Sequence, residues 1–137
     1  MKTRLTVLSL LAGVLAAPPV SAHHGNAAYE GTVTVLEDAT VTKIAWANPH
    51  TIVQFDVKAD NGDVAHWSAE LGSPSALGLI GWTKTSLQPG DVITIYIHQA
   101  KTKNPVGRIE HLVLADGSVL RDSSGGGDGA RGGGRGQ

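Results

Sequence analysis

The sequence contains no cysteine. That excludes disulfides and thiolate metal ligands, and it leaves no cysteine to carry a lipid anchor. Aromatic residues are scarce: one Phe, two Tyr and three Trp among 137 residues. A core must therefore be assembled from Val, Ile and Leu, and each Trp needs a reason. No apolar run reaches the roughly 20 residues that a membrane-spanning helix requires. Neither sign of charge dominates, with 11 basic and 12 acidic residues, and so little basic surplus argues against a polyanion-binding surface. The sequence shows no Gly-x-Ser-x-Gly, Walker or dinucleotide fingerprint. No His-x-His or His-x₃-His spacing forces a metal site.

What is present begins with an export signal. Lys2 and Arg4 precede an apolar stretch over residues 5–16, and Val20-Ser21-Ala22 supplies small residues at the −3 and −1 positions of a cleavage site. Cleavage after Ala22 starts the mature chain at His23 and places it in the periplasm or outside the cell. It also removes two basic residues and no acidic ones, leaving a net charge of −3. At the other end, eight of the 15 residues in 123–137 are glycine, with Arg131 and Arg135 between them. Such a stretch buries too little apolar surface to offset its ordering entropy. Residues 1–22 thus read as a signal peptide, 23–122 as one domain and 123–137 as a disordered Gly/Arg tail.

The domain reads as β-structure almost throughout. Residues 32–46 are rich in Val and Thr, interrupted at Glu37-Asp38, and predict one long strand with a bulge; Thr42, Ile44 and Trp46 share a face by alternation. Asn48-Pro49 is a turn signal. Residues 51–58 alternate through Val53, Phe55 and Val57, and Asn61-Gly62 marks a hairpin into residues 64–71. Ser73-Pro74 then caps a short helix over 74–81. Two more strands, 92–98 and 108–115, follow, and Asp116-Gly117 turns into Ser118-Val119-Leu120. The order β-β-β-α-β-β predicts a mainly β, five-stranded OB-like barrel with one short helix. Closure would remove sheet edges that a disulfide-free exported domain otherwise exposes.

Three groups of residues carry the chemistry. Cleavage before His23 leaves an α-amine beside the imidazoles of His23 and His24, a nitrogen-donor set suited to Cu(II). His50, leaving the Asn48-Pro49 turn, is the candidate third ligand. Trp46, Trp67 and Trp82 form either core or a stacking surface for a ring-shaped ligand, with Glu70 at the end of the third strand as its polar group. Among the other histidines, His66 alternates with Glu70, His98 shares the face of Thr94 and Tyr96, and His111 shares that of Ile109 and Val113, which predicts a core histidine.

Several motifs in order resemble a family of small exported bacterial proteins, domain of unknown function 6152. They are Ala22-His23-His24, Trp46-Ala47-Asn48-Pro49-His50, Trp67 with Glu70, Ser73-Pro74-Ser75-Ala76-Leu77, Gly81-Trp82-Thr83, Leu87-Gln88-Pro89-Gly90-Asp91 and Leu114-Ala115-Asp116-Gly117. Gln88 stands where that family typically has Lys, and the stretch after His24 lacks the family's usual early aromatic. The resemblance implies architecture and export but brings no activity. The sequence therefore predicts an exported, non-enzymatic binding protein. Copper or another transition metal would bind through His23, His24 and His50. The alternative is a metal-free protein- or carbohydrate-binding module with a Trp-lined groove. Neither a nucleic-acid partner nor a stable membrane span is expected.

Overall fold

The structure is a computed structural model that describes residues 26–126. Six strands and one helix follow in order: β1 (Thr34–Ala45), β2 (Ile52–Lys58), β3 (Val64–Glu70), α1 (Pro74–Leu79), β4 (Val92–Gln99), β5 (Val106–Val113) and β6 (Val119–Arg121). Antiparallel neighbours run β3-β2-β1-β4-β5-β6, and a parallel pairing of β3 with β5 closes the first five into a barrel. The β-β-β-α-β-β order and the closed OB-type barrel are as expected from the sequence. The difference is β6, which extends the sheet beyond the ring by pairing with β5 through the Asp116-Gly117 turn. A short 3₁₀ turn, Ser123–Gly126, continues structure four residues past the expected boundary at 122.

Local chemistry accounts for the elements. The Ser73 hydroxyl accepts from the Ala76 backbone N–H at 3.2 Å, capping α1, and Pro74 occupies its first turn. The helix stops at Leu79, earlier than predicted; Gly81 follows with φ +97°, a conformation that ends helices because it suits only glycine well. The Asn48–Pro49 peptide in the β1–β2 turn is cis. Asn61-Gly62 turns β2 into β3, with Gly62 at φ +90°.

Bulges set which side chains face the core. In β1 the register against β4 shifts between Leu36 and Ala39, where Asp38 adopts φ +53°, as the Glu37-Asp38 interruption suggested. A second shift against β2, between Val41 and Lys43, was not legible. It puts Thr42 and Lys43 both outward, so Thr42 does not share the inward face of Ile44 and Trp46. The core gathers Val41, Val53, Phe55, Leu71, Leu77, Ile95, Ile97, Ile109 and Leu112, all essentially inaccessible, and Trp82 closes it.

Candidate binding site at the barrel seam

The β3–β5 pairing that closes the barrel also lines up polar residues. Arg108 is the register partner of Glu70 on β3 and of His98 on β4. Its chain neighbours Gly107 and Ile109 are buried, so strand alternation turns Arg108 outward. The same argument turns Glu70 and His98 outward, because Ala69, Leu71 and Ile97 point in. The three form a half-buried row across the seam. Gly107 is required beneath it: a β-carbon there would lie 2.5 Å from Ile97 Cδ1 and 2.7 Å from the His98 carbonyl oxygen.

The N-terminal segment lies along the row. Lys101 N–H donates to Ala28 O, Tyr29 bridges to Ala100, and Glu30 N–H donates to Gln99 O at 2.8 Å. Lys103 Nζ reaches Glu30 Oε1 at 2.7 Å. That pairing holds the exposed Glu30 carboxyl below its ordinary range. The Tyr29 phenol is raised, first by burial and then by the Glu70 carboxylate beside it, with Arg108 acting the other way.

Between this segment, the β4–β5 face and the C-terminal end lies a cavity of about 420 Å³ lined by Tyr29, Glu30, His98, Arg108, Glu110 and Arg121, among others. A third bulge shapes it. The register of β4 with β5 shifts between Tyr96 and Ile97, so that Tyr96 opposes His111 while Ile97 opposes Ile109. Glu110 and His111 therefore both lie off the core face. The expected core histidine is corrected accordingly: His111 stacks on Tyr96 with ring centroids 4.1 Å apart and turns Nδ1 toward Glu110 Oε1 at 3.0 Å. The other Glu110 oxygen, Oε2, lies 3.4 Å from His98 Nε2. His98 Nδ1 in turn faces Glu30 O at 3.1 Å.

The remaining predicted residues are dispersed. His23 and His24 lie outside the described residues. His50 is exposed, with Nδ1 3.2 Å from Leu71 O. Trp82 is buried, 5% exposed, and its Nε1–H donates to Arg121 O at 2.9 Å. Trp67 stacks on its cross-strand partner Phe55 at 6.0 Å. Trp46 lines a second, shallower groove of about 650 Å³ with Lys43, Lys84, Leu87 and Pro89. The three tryptophans thus serve separate places. Glu70 sits in the seam beside Tyr29, and His66 pairs with Asp56 at 2.6 Å on the exposed β2–β3 face. The sequence alternation already placed His98 correctly; the bulge that adds Glu110 leaves no mark in the residue pattern.

Among the described residues, no three His, Asp or Glu side chains are grouped to hold a metal ion, and no helix is long and apolar enough to cross a membrane. Fold and site together define a closed, OB-type β-barrel with a polar cleft on its seam. The chain belongs to a family of unknown function, DUF6152, whose model matches residues 12–109. No curated protein and no solved structure matches it.

Proposed function

We propose that this protein is an exported, non-catalytic binding protein that holds a transition-metal ion, Cu(II) in the first instance, through the amine and imidazoles of His23 and His24 at the mature N-terminus and one histidine of the barrel. The observation that carries this reading is the docking of residues 28–30 against the end of β4. Only Gly25 separates His24 from the first described residue, Asn26. In sequence, His23 and His24 therefore lie a few residues ahead of the segment that docks at the seam. Two barrel histidines, His50 and His98, each turn Nδ1 to a backbone carbonyl. A neutral ring donating from Nδ1 keeps its lone pair on Nε2, the arrangement that metal-bound histidines use. Copper is favoured because nitrogen donors suit it and affinity peaks there in the divalent series.

The test is titration of protein beginning at His23 with Cu(II). One equivalent should bind, and an added residue before His23 should weaken binding strongly. Equal binding with the amine blocked would overturn the reading.

A second reading has its own observation. Trp46 is half-buried in a groove flanked by Lys43 and Lys84, where an indole face and two cations suit an acidic sugar. Quenching of Trp46 fluorescence by such a sugar, absent in Trp46→Phe, would support this metal-free alternative.

A further inference from the structure

We infer that the seam cavity binds a small organic monocarboxylate bearing a hydroxyl or ammonium group, with the guanidinium groups of Arg108 and Arg121 taking the carboxylate. The central observation is Arg108. Its side chain is only 19% exposed, yet among the described residues its one carboxylate contact is Asp122 Oδ2, 3.4 Å from Nη2. That is long for a charge-assisted bond, which closes to about 2.7–2.9 Å. Asp122 is also committed elsewhere. Its Oδ1 accepts the Gly72 N–H at 2.7 Å, and its Oδ2 accepts the Ser124 hydroxyl and, at 3.4 Å, the Ser124 N–H. A guanidinium offers five N–H donors in a rigid fork. Most of those on Arg108 thus have no protein acceptor among the described residues, although the side chain is largely buried and lines the cavity. Such a fork matches the two oxygens of a carboxylate.

Arg121 supplies the second cation. It stands on β6 opposite His111 and lines the same cavity. Among the described residues it pairs with no carboxylate.

The other lining residues set the rest of the ligand. Glu30 is already paired with Lys103 at 2.7 Å. Glu110 follows Arg108 by two residues on β5 and presents a carboxylate that is 40% exposed. A second negative charge on the ligand would meet Glu110, which disfavours dicarboxylates and phosphate. A hydroxyl or ammonium group finds an acceptor there. Ile109 and the Tyr29 ring add apolar wall, so the ligand has a carbon body rather than being a bare inorganic ion. The volume of 420 Å³ falls within the usual range of small-molecule pockets, about 300–1,000 Å³. This site needs no metal ion and no residue outside 26–126.

The experiment follows isotope-labelled protein beginning at His23 by NMR, without added metal, as para-hydroxybenzoate or L-leucine is raised to millimolar concentration. With at least one of the two, the amide signals of Arg108, Glu110 and Arg121 should shift together and give one dissociation constant. Arg108→Gln should weaken binding about ten- to a hundredfold, as expected for hydrogen bonds to a charged group. Arg121→Gln should weaken it several-fold. That variant lies on the surface and leaves Asp122 its partner, so it tests the site even if Arg108→Gln impairs folding, which circular dichroism checks. Succinate and inorganic phosphate should bind about tenfold more weakly or worse, and para-hydroxybenzyl alcohol, which lacks the carboxylate, should leave the signals in place. Absence of seam shifts with both probes overturns the proposal. So does unchanged affinity in a folded Gln variant, or succinate or phosphate bound as tightly as the monocarboxylate.

Discussion

The buried carboxylate of Asp122 accepts the backbone N–H of Gly72 at 2.7 Å, joining the end of the folded chain to the loop before α1, 50 residues away. Its second oxygen faces Arg108 Nη2 at 3.4 Å and accepts from the Ser124 hydroxyl. The side chain is only 1% exposed. Asp122→Ala strands the Gly72 donor and removes the partner of a half-buried guanidinium. We expect a loss of about 2–3 kcal/mol in urea unfolding. Asp122→Asn keeps an acceptor for Gly72 and should lose roughly half as much. Equal stability of Asp122→Ala and the parent would show that this contact does not anchor the C-terminal end.

The tryptophans divide by role. Trp82 is buried in the core and its indole N–H is satisfied by Arg121 O; Trp46 is half-buried at the rim of a groove. Trp82→Ala should cost about 3–5 kcal/mol, against a clearly smaller loss for Trp46→Ala. Thermal unfolding of the two variants side by side decides it. A Trp82→Ala protein as stable as Trp46→Ala would contradict the assignment of Trp82 to the core.

Much of the barrel was legible because its signals are local. Alternation of Val53, Phe55 and Val57, the Asn61-Gly62 turn and the Ser73-Pro74 cap each fix a short element by chemistry that acts over a few residues. Closure follows from element order, since a helix between the third and fourth strands lets β5 return beside β3. Bulges break this logic. At Val41–Lys43 and again at Glu110, one inserted residue inverts the phase of the strand with no special residue type to announce it. His111, alternating with Ile109 and Val113 in sequence, therefore reads as inward and lies outward. The seam cavity was hidden for a different reason. Its walls come from Tyr29, His98, Arg108 and Arg121, residues distant in sequence that share no spacing rule and meet only through the β4–β5 and β5–β6 pairings and the Tyr29–Ala100 bridge.

Titration of the N-terminal segment should bound its docking on both sides. The Tyr29 phenol is raised above its unfolded value of 10.0 by burial and by Glu70. A raised value means that folding favours the protonated phenol, so this contribution is complete below pH 10.0 and is lost as pH rises through the folded value. Glu30 is lowered from 4.5 by Lys103. Its contribution is complete above pH 4.5 and is lost as pH falls through the folded value. Phenolate absorbance should therefore lose a phase above pH 10 when Tyr29 is replaced in Tyr29→Phe. Lys103→Met should return Glu30 to ordinary behaviour in NMR titration, and raised salt should act in the same direction because the pair is exposed. A Tyr29 midpoint at or below 10 would refute the proposed environment.

Thr51 offers a prediction of the opposite sign. It begins the turn into β2, directly after His50, and is fully buried. Its backbone is satisfied: the N–H donates to Gly72 O at 3.0 Å and the carbonyl accepts from Leu71 N–H at 2.8 Å. Among the described residues, its hydroxyl has no hydrogen-bond partner. A buried hydroxyl without a partner gives up hydration and receives nothing in return, a cost of about 1–3 kcal/mol by mutational comparison. Valine has nearly the same shape and no hydroxyl. Thr51→Val should therefore raise stability by about 1 kcal/mol, part of the penalty being offset by imperfect repacking of the new methyl. Thr51→Ala removes the hydroxyl and the methyl together and should fall below the parent, because the cavity it leaves outweighs the gain. The ordering Val above Thr above Ala in denaturant midpoint is the signature of an orphaned hydroxyl. If Thr51→Val is instead less stable than the parent by 1 kcal/mol or more, the hydroxyl is hydrogen-bonded in solution and contributes to holding the β1–β2 turn that carries His50.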